Sequence, residues 1–245
     1  MEKDNYVIEI ATTDFITTKQ AVEGGADRIE LCAALSEGGT TPSYGMIKKC
    51  REAFDTSLFP IIRPRPGDFL YSDEEYEIMK QDIMVCKQYG CDGVVIGLLL
   101  KNGEIDISRT AKLVEAAYPL EVTFHRAFDR CKDPLAALEN LIQIGCQRIL
   151  TSGQKQGAPE GVELITQLVM KADNRIIIMP GSGVRKENIK ELATATGAVE
   201  FHSSLRSRQK SSMEFIHPSF VLSAESYFNP SIDPEEVKAL RRALL

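Results

Sequence analysis

The chain has 245 residues, close to the ~250 of a single (β/α)₈ barrel. Hydrophobic residues make up 43%, charged residues 26%, and there is no Trp, a mix that excludes disorder, collagen and coiled coil. Lys and Arg number 29 against 35 Asp and Glu, a net charge of −6, so no positive field gathers nucleic-acid phosphates.

No apolar run approaches the ~18 residues of a membrane span. Met1-Glu2-Lys3-Asp4-Asn5 lacks the apolar core of a signal peptide. The expectation is a cytoplasmic protein with no membrane or nucleic-acid partner. In that compartment the six cysteines stay thiols. None forms a C-x-x-C pair, the nearest approach being Cys86 and Cys91.

Short β-rich runs alternate with helical patterns. The expected strands are Val7–Ala11, Arg28–Cys32, Phe59–Arg63, Val94–Leu98, Glu121–His125, Arg148–Thr151, Arg175–Met179 and Val199–His202. Between them, Tyr76, Met79, Ile83 and Cys86 share one helical face, as do Leu135, Leu138, Leu141 and Ile142. Thr41-Pro42, Ser72-Asp73-Glu74-Glu75 and Asp133-Pro134 read as helix starts. Eight strands, each followed by a helix, predict an α/β fold, a closed (β/α)₈ TIM barrel. A doubly wound open sheet is the alternative.

Four turns echo one another at intervals of about two βα units. Gly25-Ala26-Asp27, Gly90-Cys91-Asp92, Gly145-Cys146-Gln147 and Gly197-Ala198-Val199 each follow a helix and precede a strand. Glycine supplies the left-handed residue that ends the helix, and the small residue after it fits beneath a barrel floor. After Ser203 the pattern stops. Residues 203–245 read as a tail on one barrel domain, basic and Ser-rich at first, then aperiodic over Ser219–Pro230, with a last helix from Asp233-Pro234 to Leu245.

Strand parity predicts what the barrel encloses. With the apolar partners turned to the helices, Glu9, Glu30, Arg63, His125, Glu200 and His202 face inward. Such charges survive only paired or solvated. They form either an ion-pair network filling the bore or a polar binding site at its mouth.

The most distinctive stretches are Ile62-Arg63-Pro64-Arg65-Pro66-Gly67-Asp68-Phe69, Thr123-Phe124-His125-Arg126-Ala127-Phe128-Asp129 and Leu150-Thr151-Ser152-Gly153. With Gly25 to Cys32 and Gly38-Gly39-Thr40-Thr41-Pro42-Ser43, they resemble the CutC family of copper homeostasis proteins. The resemblance spans roughly Val7 to Ser203. It implies a single cytoplasmic (β/α)₈ barrel linked to copper handling.

Two functions follow, of different classes. The resemblance implies a copper-homeostasis protein that binds Cu(I). That ion favours soft sulfur ligands, and Cys32, ending the second strand in the family-like Glu-Leu-Cys run, is the candidate ligand. Cys131 also falls at the mouth, whereas Cys91 and Cys146 fall in the floor turns. No dense Cys/Met cluster exists.

The alternative is a barrel enzyme for a small anionic or phosphorylated metabolite. Loops after the seventh and eighth strands are the usual phosphate site of such barrels. Here they supply Gly181, Gly183, His202 and Ser203. Arg63, Arg65, Arg126, Asp129, Thr151 and Ser152 complete the expected anion-binding set. His125 is the candidate general acid or base, with Glu9 or Glu30 orienting it or sharing its proton. No strand Lys offers a Schiff base, and no organic cofactor is expected. Homo-oligomerisation is left open.

Overall fold

The computed structural model describes residues 6–220 and 227–245. Residues 1–5, on which the signal-peptide reading rests, and 221–226, inside the aperiodic stretch, lie outside the described residues.

Eight short strands form the centre: β1 (Val7–Thr12), β2 (Arg28–Leu31), β3 (Ser57–Pro60), β4 (Gly93–Ile96), β5 (Glu121–Phe124), β6 (Arg148–Thr151), β7 (Ile177–Pro180) and β8 (Glu200–Ser203). They hydrogen-bond in two parallel sets, in the orders β3-β2-β1-β8 and β4-β5-β6-β7. A parallel bridge between Ile61 and Val95 joins the sets at β3 and β4. At the other seam β7 packs beside β8. The strands therefore run round in chain order as a barrel, and β1 pairs with both β2 and β8. That pairing removes the open-sheet alternative.

Around the strands lie α1 (Phe15–Glu23), α2 (Tyr44–Ala53), α3 (Asp73–Gln88), α4 (Ile107–Ala117), α5 (Pro134–Gln143), α6 (Val162–Ala172) and α7 (Ile189–Thr196). Ser72 and Glu75 form the capping box of α3, and Asp133 caps α5. The start expected at Thr41-Pro42 moves two residues on, where Ser43 caps α2. Thr41 instead accepts the Arg63 N–H through its hydroxyl.

The apolar strand residues do face the helices. Ile8, Ile10, Ile29, Leu31, Val94, Ile96, Val122, Phe124, Ile149 and Phe201 join the helix-borne core. Burial of each such side chain contributes roughly 1.5–3 kcal/mol.

The four echoed turns share one conformation. Gly25, Gly90, Gly145 and Gly197 all have positive φ, between 69° and 84°, and Ala26, Cys91, Cys146 and Ala198 behind them are buried. The N–H groups of Ala26, Cys91 and Cys146 bond back to the carbonyls of Ala21, Cys86 and Leu141. These turns lead into β2, β4, β6 and β8, and so lie together at the floor.

The tail is more structured than its sequence suggests. Strands β9 (Arg206–Lys210) and β10 (Phe228–Ile232) form an exposed antiparallel hairpin. Being almost entirely solvated, the hairpin has no apolar alternation to read. Helix α8 (Pro234–Leu244) then packs on α1 and α7. Val237 sits so close to Gly24 that a Cβ on the glycine would lie 2.6 Å away. Among the described residues, no helix is long and apolar enough to cross a membrane.

Candidate functional site

The barrel interior has two levels. Deepest is a closed set of ion pairs. Arg28 on β2 donates to Glu9 (3.3 Å) and to Glu200 (2.8 Å). Arg148 on β6 donates to the same Glu200 oxygen (2.6 Å) and to Glu121 (3.1 Å). Both guanidinium groups lie against the Phe59 ring, 5.0 and 5.6 Å from its centre. Phe59 belongs with Cys32, Ile61 and Val95 to a small apolar cluster separate from the outer core.

His202 connects this level to the mouth. Its Nδ1 lies 2.7 Å from Glu9 and its Nε2 3.9 Å from Glu30. Burial disfavours charge on the ring, yet the facing Glu30 and Glu9 raise its pKa above the ordinary value. Burial also works against a charged Glu9, but His202, Arg28 and Arg148 outweigh it and hold the carboxyl at about 2. For Glu30 burial prevails, and with the nearby Glu9 charge it pushes the pKa up. The Cys32 thiol donates to Glu30 at 3.3 Å. Burial and the Glu30 carboxylate push that thiol well above its ordinary value.

At the mouth a cavity of about 380 Å³ opens at the ends of the strands. Of the residues expected there, Glu30, Arg63, His125, Arg126, Gly183, His202 and Ser203 line it. Glu9 and Cys32 lie fully buried beneath.

Five expected ligands do other work. Arg65 turns away to Glu75 at 2.5 Å and to Asp68 at 3.0 Å. Asp129 is a hub between the loops after β5 and β6: it accepts from Thr151, from the Ser152 amide and hydroxyl, from the Gln154 amide and from Arg126. Thr151 and Ser152 are thereby used up as struts. The Gly181 N–H bonds to the Thr151 carbonyl. A Cβ on Gly181 would lie 2.4 Å from Leu150 and 3.2 Å from the His202 side chain; its task is to make room.

His125 is also seated by a glycine, since a Cβ at Gly97 would fall 2.2 Å from the imidazole. Its Nδ1 accepts the Ala127 N–H at 3.0 Å, which puts the ring proton on Nε2. That atom is buried and has no partner among the described residues. Burial, with the nearby Arg63 charge, lowers the pKa to about 3. His125 is therefore a neutral N–H donor at working pH. With Nδ1 occupied, His125 presents an Nε2–H donor to the cavity, where the sequence left general acid and general base both open.

The sequence reasoning missed Arg130, Arg185 and Arg206, all of which line the cavity. Arg185 lies two residues past Gly183, and Arg206 lies in the basic run after Ser203, so the signals were present. Arg63, Arg126, Arg130, Arg185 and Arg206 face only Glu30 and Glu37 as opposite charges around the cavity. Among the described residues only Arg126 of these five has a carboxylate partner, Asp129. Arg63 donates instead to the carbonyls of Glu37, Gly39 and Gly67. Arg185 holds the Ser203 hydroxyl and the Val184 carbonyl. Beside them, Ser182 and Gly183 line the same cavity, with successive positive φ values of 72° and 75° in the tight turn after β7.

Fold and site together define a parallel α/β barrel with a neutralised bore and a cationic mouth. The CutC family profile matches residues 6–207. A CutC family protein of Parabacteroides distasonis is 49% identical over 239 residues, covering 95% of this chain and 98% of that one. The human protein named copper homeostasis protein cutC homolog is 46% identical over 221 residues, covering 90% of this chain and 81% of its own. A solved CutC structure from Streptococcus agalactiae superposes with a TM-score of 0.78 at 34% identity, over 81% of this chain and 98% of that one. The chain belongs to the CutC family.

Proposed function

We propose that this CutC barrel is an enzyme acting on a small phosphorylated metabolite bound at its mouth. One contrast carries the reading. Every arginine of the bore is paired with carboxylates, whereas four of the five at the mouth have none. Arginine without a carboxylate is suited to phosphate, which it grips bidentately. The loops after β7 and β8 supply Arg185, Arg206, Ser204 and the Ser182–Gly183 amides for the phosphate. His125 supplies an N–H donor, and proton exchange falls to Glu30, whose raised pKa suits it to that task.

The test incubates wild type and an Arg185→Met/Arg206→Met double variant with pools of phosphorylated metabolites, read by mass spectrometry. Depletion of one compound by wild type and not by the variant supports the reading. If wild type neither converts nor retains any of them, the reading is wrong.

Copper is the second reading, favoured by the names of the human relative and the S. agalactiae structure and by the placement of Cys32 just below the cavity. The donor set fits Cu(I) poorly. Cys32 offers one protonated thiol beside hard carboxylate oxygens, with no second sulfur in its apolar cluster, whereas Cu(I) selects soft thiolate and thioether ligands.

A further inference from the structure

The cationic charge at the mouth is divided between two sectors of the rim. Arg185 and Arg206 stand with Ser182 and Gly183 over β7 and β8, while Arg126 and Arg130 stand on the loop after β5. Strand β6 lies between, and its Leu150 forms the intervening wall. Arg130 is exposed and makes no ion pair among the described residues. Asp129 and Ser152 fix Arg126 through Nε and Nη2, leaving Nη1 unengaged. A single phosphate held by the β7–β8 sector would leave Arg130 without a counter-charge among the described residues and Arg126 with Asp129 alone.

A third observation comes from His125, the first residue after β5 and the neighbour of Arg126. It is 4% exposed and lines the cavity, and its Nε2 has no acceptor among the described residues. A buried donor without a partner is rare in a native protein and calls for a missing group. The Ala127 N–H on Nδ1 fixes the tautomer, so the waiting group must accept a hydrogen bond. The cavity of about 380 Å³ lies at the small end of the roughly 300–1,000 Å³ range of ligand pockets. It suits a metabolite of a few carbons.

We infer that the ligand carries two anionic ends: a phosphate held by Arg185, Arg206 and the Ser182–Gly183 amides, and a carboxylate held by Arg126 and Arg130. An oxygen on the connecting carbons accepts the Nε2–H of His125. This rests on the phosphate reading above and adds the second anion and the central acceptor. A neutral His125 suits the place, because a charged ring would add to the repulsion among the arginines. Its N–H would also stabilise negative charge developing on the oxygen it touches.

The experiment is calorimetric titration of the purified full chain with three probes: inorganic phosphate, glycerol 3-phosphate and 3-phosphoglycerate. The last two share a phosphate and a three-carbon chain, and differ in the carboxylate. Wild type should bind 3-phosphoglycerate about 10-fold or more tightly than glycerol 3-phosphate, the scale of a charge-assisted contact. Arg130→Met should shrink that difference several-fold, weakening 3-phosphoglycerate binding more than glycerol 3-phosphate binding. Arg185→Met should weaken both. In ¹⁵N-labelled protein, 3-phosphoglycerate should move the His125 Nε2–H resonance.

Equal binding of the two esters, with no effect of Arg130→Met, overturns the two-ended ligand and leaves the phosphate site standing. An unmoved His125 signal in a saturated protein overturns the central acceptor. Failure of all three probes to bind removes the phosphate reading and this inference with it.

Discussion

The bore and the mouth of this barrel are built from the same residue types and reach opposite electrostatic states. In the bore, Arg28 and Arg148 converge on one carboxylate, Glu200, and are completed by Glu9 and Glu121. At the mouth, Arg63, Arg130, Arg185 and Arg206 surround a cavity without taking a carboxylate partner among the described residues. The bore satisfies its own charges, and the mouth keeps a surplus of cations around its cavity. The ion-pair interpretation of the inward charges holds in the bore, and His202 links that network to the residues lining the cavity.

The comparison is broken most severely from below. Glu200→Gln would leave two buried arginines short of their shared acceptor. Breaking a buried pair this way costs about 3–5 kcal/mol, a fall in Tm of roughly 10 °C for a chain of this size. Circular dichroism melts check it; a fall of only a degree or two would mean that the pairs do not hold the bore. At the mouth the effects reverse. Arg185→Met should leave stability within about 0.5 kcal/mol, as for an ordinary surface substitution. It should weaken phosphate binding roughly 10–100-fold, the worth of a charged hydrogen bond. A large loss of stability with no change in binding would make Arg185 a strut like Asp129.

Much of this division was legible in the chain. The Gly25, Gly90, Gly145 and Gly197 turns revealed the floor, because a left-handed helix end has a local residue signature. Parity placed Glu9, Glu30, Glu200 and His202 inside, since alternation follows from the strand itself. Arg28 has the same parity as Glu30, and Arg148 sits opposite in phase to Ile149, so the bore network was within reach of that argument. Arg65 was not legible. Its direction is set by Glu75, ten residues away at the start of α3. Asp129, Thr151 and Ser152 look like ligands in isolation, and only the packing of two loops turns them on one another. The hairpin of β9 and β10 escaped notice because solvated strands bury nothing that alternates.

The two buried histidines sharpen the contrast through pH. His125, at about 3, stays neutral in the folded protein where the unfolded chain already takes up a proton near 6.5. Over that interval the unfolded state binds more protons, so this contribution to stability is lost as pH falls from 6.5 toward 3. His202 has the opposite sign. Its raised pKa gives stability that is present below the unfolded value and lost as pH rises through the folded one. Ring ¹⁵N shifts followed from neutral pH into acid should show His125 uncharged throughout and His202 still protonated above pH 6.5. The reverse assignment would place the ionised imidazole at the mouth and end the neutral-donor role.

The smallest effect is expected at Cys32, and it decides whether sulfur has any part in the comparison. Cys32 is fully buried, donates to Glu30 at 3.3 Å and has its pKa pushed up by burial and by that carboxylate. Cu(I) binding requires the thiolate, and the proton must be removed next to a carboxylate that disfavours the resulting charge. Cys91 and Cys146 are buried in small-residue slots at the floor, the opposite end of the barrel from the cavity. Under the metabolite reading, Cys32→Ser, Cys91→Ala and Cys146→Ala should each change Cu(I) uptake by a similar, small amount, measured against a competing chelator. Phosphate binding by Cys32→Ser should match wild type, because the hydroxyl keeps the hydrogen bond to Glu30. If Cys32→Ser alone abolished uptake while the floor variants kept it, copper would have a specific seat beneath the mouth. The cationic rim would then have to be explained as something other than a metabolite site.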